Sequence, residues 1–177
     1  MILIAVLVVI VLVVVVWAIS TVNGFKRKEL KVTESLSGIE VALTKRYDML
    51  TKMLDVTKGY AKHEKEMFTE VVKLRKGMGV SEINEATRKM DDMARSIQVT
   101  AEAYPELRSS DVFKELQVSI ADAEEHLQAA RRLYNANVTA FNQAIAMFPA
   151  SLLAGGYQPK EVFAAEEHKK NDVKMEF

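Results

Sequence analysis

Residues 2–19 form a nearly unbroken run of Val, Ile, Leu and Ala, with Trp17 near its end, and the first 22 residues carry no charged side chain. A helix rises ~1.5 Å per residue, so this stretch reaches ~30 Å, about the thickness of a bilayer's hydrocarbon core. The pattern predicts a transmembrane anchor over residues 1–22. Beyond it, apolar positions recur at steps of three and four. Leu36, Ile39, Leu43, Tyr47, Leu50, Leu54, Thr57, Ala61, Glu64, Phe68 and Val71 trace one seam through a long helix between Gly24 and Gly77, interrupted only by Gly38 and Gly59 and by no proline. Gly77-Met78-Gly79 ends it, and Ser81 with Glu82 opens a second helix carrying Ile83, Ala86, Met90, Met93, Ile97 and Ala101. Tyr104-Pro105 closes that helix. A third opens near Ser110 or Asp111 and carries Phe113, Leu116, Ile120, Ala123, Leu127, Ala130, Tyr134, Val138, Phe141, Ile145 and Phe148 before Pro149 stops it. Gly155-Gly156 and Pro159 break the remainder, leaving at most a short helix over about 159–168. No strand-like alternation occurs. The expected fold is all-α: the anchor, an elongated antiparallel bundle with coiled-coil-like seams over residues 23–150, and a C-terminal segment over 151–177 whose short helix and tail pack on the bundle.

A cleaved signal peptide would need a basic leading region, a shorter apolar core and a small-residue cleavage site. Only the amino group of Met1 precedes the run, the run is too long, and Ala18-Ile19-Ser20 is a poor cleavage site, so the segment reads as a retained anchor. Lys26, Arg27, Lys28 and Lys31 flank its C-terminal end and nothing basic flanks the other. Basic residues stay on the cytoplasmic side, so the expected topology is a single-pass protein of the cell membrane, N-terminus outside and bulk of the chain cytoplasmic.

Charge changes the picture in one respect. The 24 basic and 24 acidic side chains balance, and all follow Val22. A nucleic-acid partner would favour a strong basic excess, so none is expected. The bilayer is the evident partner, and Lys26, Arg27 and Lys28 are placed to act as a topology signal or to touch anionic headgroups. The chain has no cysteine, which excludes disulfides, thiolate nucleophiles and cysteine-ligated metals.

Candidate chemistry is sparse. Glu64 falls on the first seam, and Asn135 and Asn142 flank the third; an acid near a buried amide is either a proton or metal site or, more commonly, a register-fixing hydrogen-bond partner. Glu124 and Arg131, seven apart on one face, read as ion-pair partners across the bundle. His63-Glu64 lacks the second histidine of a zinc-peptidase helix, since position 67 is Met, and His63, His126 and His168 are widely separated. No phosphate-binding glycine loop and no nucleophile elbow occurs. Met90 and Met93, at helical spacing, read as deformable core. No catalytic, cofactor or metal residue is expected, and no enzymatic activity.

Three segments together resemble one family. They are Arg46-Tyr47-Asp48 followed by Val56-Thr57-Lys58-Gly59-Tyr60-Ala61-Lys62-His63-Glu64; Ala101-Glu102-Ala103-Tyr104-Pro105-Glu106-Leu107; and Ala130-Arg131-Arg132-Leu133-Tyr134-Asn135 with Phe141-Asn142 and Phe148-Pro149. In order and interval these look like the LemA family, from about residue 23 to the end. The resemblance implies one N-terminal span and a helical-bundle domain, with no established biochemical activity. Where that family usually has Pro-Asn soon after Arg-Tyr-Asp, this chain has Thr51-Lys52, which implies a straighter first helix.

The leading expectation is a membrane-anchored structural or assembly protein that associates with copies of itself; the alternative is an adaptor for another membrane or cytoplasmic protein. Helix lengths add a constraint. In an up-down-up path, residues 81–108 descend at most ~42 Å while 111–147 climb ~55 Å, so Val138, Phe141, Ile145 and Phe148 overhang by ~13 Å. Either the chain's own tail (Leu152, Leu153, Tyr157, Val162, Phe163) or a neighbouring copy must cover them.

Overall fold

The structure, a computed structural model, describes residues 1–60 and 74–164. The described residues form helices and connecting turns and no strand: α1 (Ile2–Tyr60), α2 (Val80–Ala103), α3 (Pro105–Ser109), α4 (Asp111–Ala146) and a 3-10 turn at Ala150–Leu153. The anchor and the first bundle helix are one uninterrupted α1. None of the described residues covers its opening apolar stretch, unlike a core helix of similar composition. Beyond it the buried positions follow a seven-residue repeat: Phe25, Val32, Ile39, Arg46 and Met53 make one row, and Leu43, Leu50 and Thr57 another. On α4, Leu127, Tyr134 and Phe141 alternate with Arg131, Val138 and Ile145 in the same way. Two helices with such rows meet along their length at a shallow angle. The remaining seam residues Ala61, Glu64, Phe68 and Val71 lie outside the described residues.

α1 and α4 are antiparallel, since their contacts run in opposite numerical order. Lys45 bonds Asp122 at 2.7 Å, while Asn137 Nδ2 donates to the Lys31 carbonyl at 3.4 Å. α2 departs from the up-down-up path. Glu40 Oε1 accepts from the Gly77 amide at 2.7 Å, so α2 begins beside the middle of α1, and Asp91 reaches Arg46 further along. α2 therefore runs parallel to α1, and α3 hands the chain to α4, which returns along both. The left-handed Gly77 (φ 76°) makes the turn before α2, a conformation costly for other residues. The physical reason for the different path is that helix length fixes reach and not direction.

Helix ends refine the reading. α2 is capped by Gly79, one turn ahead of Glu82, whose Oε2 accepts from the Gly79 amide at 3.0 Å; Ser81 lies inside the first turn. That bond, then Arg75, holds the Glu82 carboxyl below its ordinary range. Ser110 caps α4 by accepting from the Phe113 amide at 3.2 Å. The short α3, with Pro105 at its first turn, is an element beyond those the spacing predicts; it buries Leu107.

Because α2 starts at the level of Glu40, the last turns of α4 lie against α1 alone. The tail fills that place. Phe163 and Tyr134 stack edge to face at 5.1 Å, and Tyr157 sits between Phe25 (5.3 Å) and Phe141 (6.0 Å). Val138, Phe141 and Ile145 are thereby buried within this chain, and the tail provides the cover. Three expectations fail in detail. Phe148 falls beyond the end of α4 and is exposed, and Leu152 and Val162 point outward. No helix forms over the described part of the 159–168 stretch, because the tail lies along the bundle and bonds to it through its own backbone.

Candidate functional site at the span-proximal end

Asn135 and Asn142 are the residues that dock the tail. Asn142 Nδ2 donates to the Lys160 carbonyl (2.9 Å) while its Oδ1 accepts from the Lys160 amide (2.8 Å). Asn135 does the same with Phe163, at 2.8 Å in both directions. Seven helical residues advance ~10.5 Å and three nearly extended residues ~10 Å, so two asparagines a heptad apart match backbone groups three apart. The carboxamide is suited to this because it donates and accepts at once. Tyr134 Oη donates to the Glu161 carbonyl at 3.1 Å, and burial, with the nearby Glu161 charge, raises its phenol pKa. Lys160 adds an ion pair to Glu29 at 2.8 Å and lies 5.7 Å over the Phe141 ring.

Next to this docked tail, Gly24, Arg27, Lys28 and Lys31 of α1 with Asn137 and Ala140 of α4 line a cleft of about 270 Å³. Among the described residues no acidic one lines it. A second recess of about 340 Å³ lies between Glu40, Val41, Leu43 and Thr44 and the loop carrying Leu74, Arg75, Lys76 and Met78.

The other polar seam residues form a structural cluster in the middle of the bundle. Buried Arg46 bonds Asp91 through Nη2 at 2.5 Å, and its Nε lies 3.0 Å from Glu124 Oε2, an ion pair without the alignment of a hydrogen bond. Arg131 Nη2 donates to Thr87 Oγ1 at 2.8 Å, and its guanidinium lies 5.5 Å over Phe163. Glu124 and Arg131 thus both reach across the bundle, Glu124 to Arg46 and Arg131 to Thr87. The spacing of apolar residues runs the seam through Tyr47, which is only partly buried, and passes over its neighbour Arg46. The row Ile39, Arg46, Met53 carried the signal. His126 Nδ1 lies 2.7 Å from the Asp122 carbonyl one turn back, at an exposed site. Glu64, His63 and His168 lie outside the described residues. Among the described residues no three His, Asp or Glu side chains converge as metal ligands.

These features define a class: an α-helical bundle continuous with an apolar helix long enough to cross a membrane. Residues 35–177 match the LemA family, and the chain belongs to that family. It is 25% identical over 158 residues to Protein LemA of Metamycoplasma hominis, covering 85% of this chain and 72% of that protein. It is also 30% identical over 69 residues to Magnetosome protein MamQ of Magnetospirillum gryphiswaldense, covering 38% of this chain and 25% of that one. The chain is a membrane-associated protein of the LemA type.

Proposed function

We propose that this is a single-span, non-catalytic structural protein whose bundle faces the cytoplasm and assembles with copies of itself in the plane of the membrane. The observation that carries the anchored-scaffold reading is the continuity of α1, which joins the apolar stretch to the bundle without a hinge. Movement of the span is thereby transmitted to the bundle as to one body. Lys26, Arg27, Lys28 and Lys31, directly after the apolar stretch, support the cytoplasmic placement. Confinement of copies to a plane raises their effective concentration and supports assembly without a large interface. The described seams are occupied within the chain, so contacts between copies use outer faces, where Leu30, Val41 and Leu133 are exposed.

Topology is tested by Val118→Cys, an exposed site in a chain that otherwise has no cysteine. Membrane-impermeant thiol reagents should fail to label it in intact cells; ready labelling refutes the orientation. Assembly is tested by sizing the detergent-extracted full-length protein beside the anchor-less domain. A full-length protein that stays monomeric over a wide concentration range, in mild detergent and in large lipid discs, ends the self-assembly reading. Recovery of one stoichiometric foreign protein with a monomeric chain establishes the adaptor alternative instead.

A further inference from the structure

Two stretches of this chain avoid charge. One is residues 1–25; the other is residues 133–159, between Arg132 and Lys160, in a chain of which 27% of all residues are charged. Antiparallel packing of α1 and α4 brings both to the same end of the molecule. Phe25 and Phe141 contact the same ring, Tyr157, and so lie at nearly the same level. From Phe141 to the end of α4 at Ala146 the helix advances ~7.5 Å further toward the span, about five residues along α1. The turn after α4 is therefore level with residues near 20, at or inside the end of the apolar stretch at Val22. Burial agrees independently: along α1, residues 2–17 are exposed, and shielding by the bundle begins at Ala18, Thr21 and Val22.

At that level the chain turns outward the side chains a soluble surface avoids. Met147 is 65% exposed, Phe148 81% and Leu152 73%. Set beside a bilayer span, these three meet the boundary between acyl chains and headgroups. The headgroup layer extends ~5–7.5 Å beyond the hydrocarbon on each side, and Arg27, Lys28 and Lys31 lie ~7.5, ~9 and ~13.5 Å past Val22 along the helix. The cleft thus opens at the outer edge of the headgroups, which Arg27 and Lys28 meet directly and Lys31 meets by extending its side chain toward the bilayer, with three cations and no carboxylate among the described residues that line it.

We propose that the turn at residues 147–152 is a second foothold on the bilayer, in which Met147, Phe148 and Leu152 enter the acyl boundary beside the last turn of the span. Arg27, Lys28 and Lys31 hold anionic lipid headgroups directly above them. The proposal rests on residues 1–22 being the span. The foothold fixes the tilt of α1 and, because the Asn-docked tail begins at this turn, ties tail docking to membrane contact.

The cysteine-free chain allows the test on full-length protein. Single nitroxide labels at Phe148→Cys, Leu152→Cys, Val9→Cys and Val118→Cys are compared in vesicles of mixed phosphatidylcholine and phosphatidylglycerol, reading access to oxygen against access to a water-soluble nickel chelate. Val118, beyond the Lys45–Asp122 contact and so at least ~35 Å from Val22, is the aqueous reference. Labels at 148 and 152 should show an oxygen-to-nickel ratio several-fold above that at 118 and below that at 9. Ratios at 148 and 152 equal to that at 118, with 9 still reading as lipid, overturn the foothold and leave the span intact. An aqueous reading at 9 overturns the span and the foothold together. In phosphatidylcholine alone, nickel access at 148 should rise several-fold; no change refutes the headgroup role of the basic cleft. Because 148 and 152 are exposed, Phe148→Glu with Leu152→Glu should leave the bundle folded while moving a Met147→Cys label into water, and an unmoved label likewise refutes the foothold.

Discussion

The bundle is built in two ways along its length. From Glu40 outward, α1 and α4 are joined by α2, and charged groups pair with one another: Arg46 with Asp91 and Glu124 at the seam, and Lys45 with Asp122 on the outer rim. Nearer the span, the described residues laid along α1 and α4 are those of the tail, which is held chiefly by two neutral carboxamides, with one ion pair, Lys160 to Glu29, beside them. The difference follows from what is being joined. Ion pairs join side chain to side chain across helices, whereas the tail presents a backbone N–H and C=O together at Lys160 and at Phe163. Asn satisfies both an N–H and a C=O of the tail without introducing charge, which neither a carboxylate nor an ammonium can do. The region nearest the membrane is therefore specified by hydrogen-bond geometry, and the distant one by helix packing and ion pairs.

The largest effect should come from the helical packing itself. Leu127 is fully buried, and Leu127→Ala should lower global stability by about 2–5 kcal/mol in denaturant unfolding of the bundle. Exposed Lys52→Ala should change it by less than about 0.5 kcal/mol. Equal effects would mean that the seam does not carry the fold.

Arg46→Ala comes next, at about 2–4 kcal/mol. The change leaves Asp91 and Glu124 as neighbouring carboxylates without their cation, and the cost falls below that of a fully buried broken pair because both keep some contact with water. Arg46→Met, which restores volume but not charge, separates the two contributions: recovery of most of the loss would show that packing rather than charge governs this region.

Asn135→Ala or Asn142→Ala should cost about 1–2 kcal/mol, the lower part of the penalty for unpairing polar groups because these are half-buried, and should act locally. The tail can lift from the bundle, so its loss is capped by its own docking energy, whereas Leu127 has no such escape. Hydrogen exchange at the Lys160 and Phe163 amides should accelerate while the middle of α4 stays protected. Uniform acceleration along α4 would erase the distinction between the two regions.

Much of this division was legible in the residues. Seam positions such as Ile39, Leu50, Leu127 and Phe141 are readable because burial on a helix must follow its period. Asn135 and Asn142 stood out as polar residues beside that period, yet their partners, backbone groups of the tail, leave no mark on sequence. Arg46 was readable from its place in the row Ile39, Arg46, Met53, but its character as a charged residue argued against burial until Asp91 and Glu124 were seen around it. The direction of α2 was not legible, since a stripe such as Ile83, Met90 and Ile97 is the same read upward or downward. Phe148 was misplaced because spacing alone extends a helix that Pro149 forbids.

The smallest effect tests charge on the outer rim of the distant region. Lys45, bonded at 2.7 Å, holds the Asp122 carboxyl below its ordinary range, helped further by Lys45's charge and that of His126. A depressed carboxylate pKa contributes stability that is fully present above the unfolded value and is lost as pH falls through the lower, folded value. Asp122→Asn should therefore reduce the thermal midpoint slightly at neutral pH, and the difference should close only in acid below the ordinary carboxylate range. Both side chains are about half exposed, at 44% and 50%, so solvent and salt screen the pair, and high salt should also remove the difference. The same salt should leave Asn135→Ala unchanged, because a carboxamide bonded to backbone has no charge to screen. If salt removed both differences, the Lys160–Glu29 pair rather than the carboxamides would govern tail docking, and the contrast between a distant region joined by ion pairs and a tail held chiefly by carboxamides would fail.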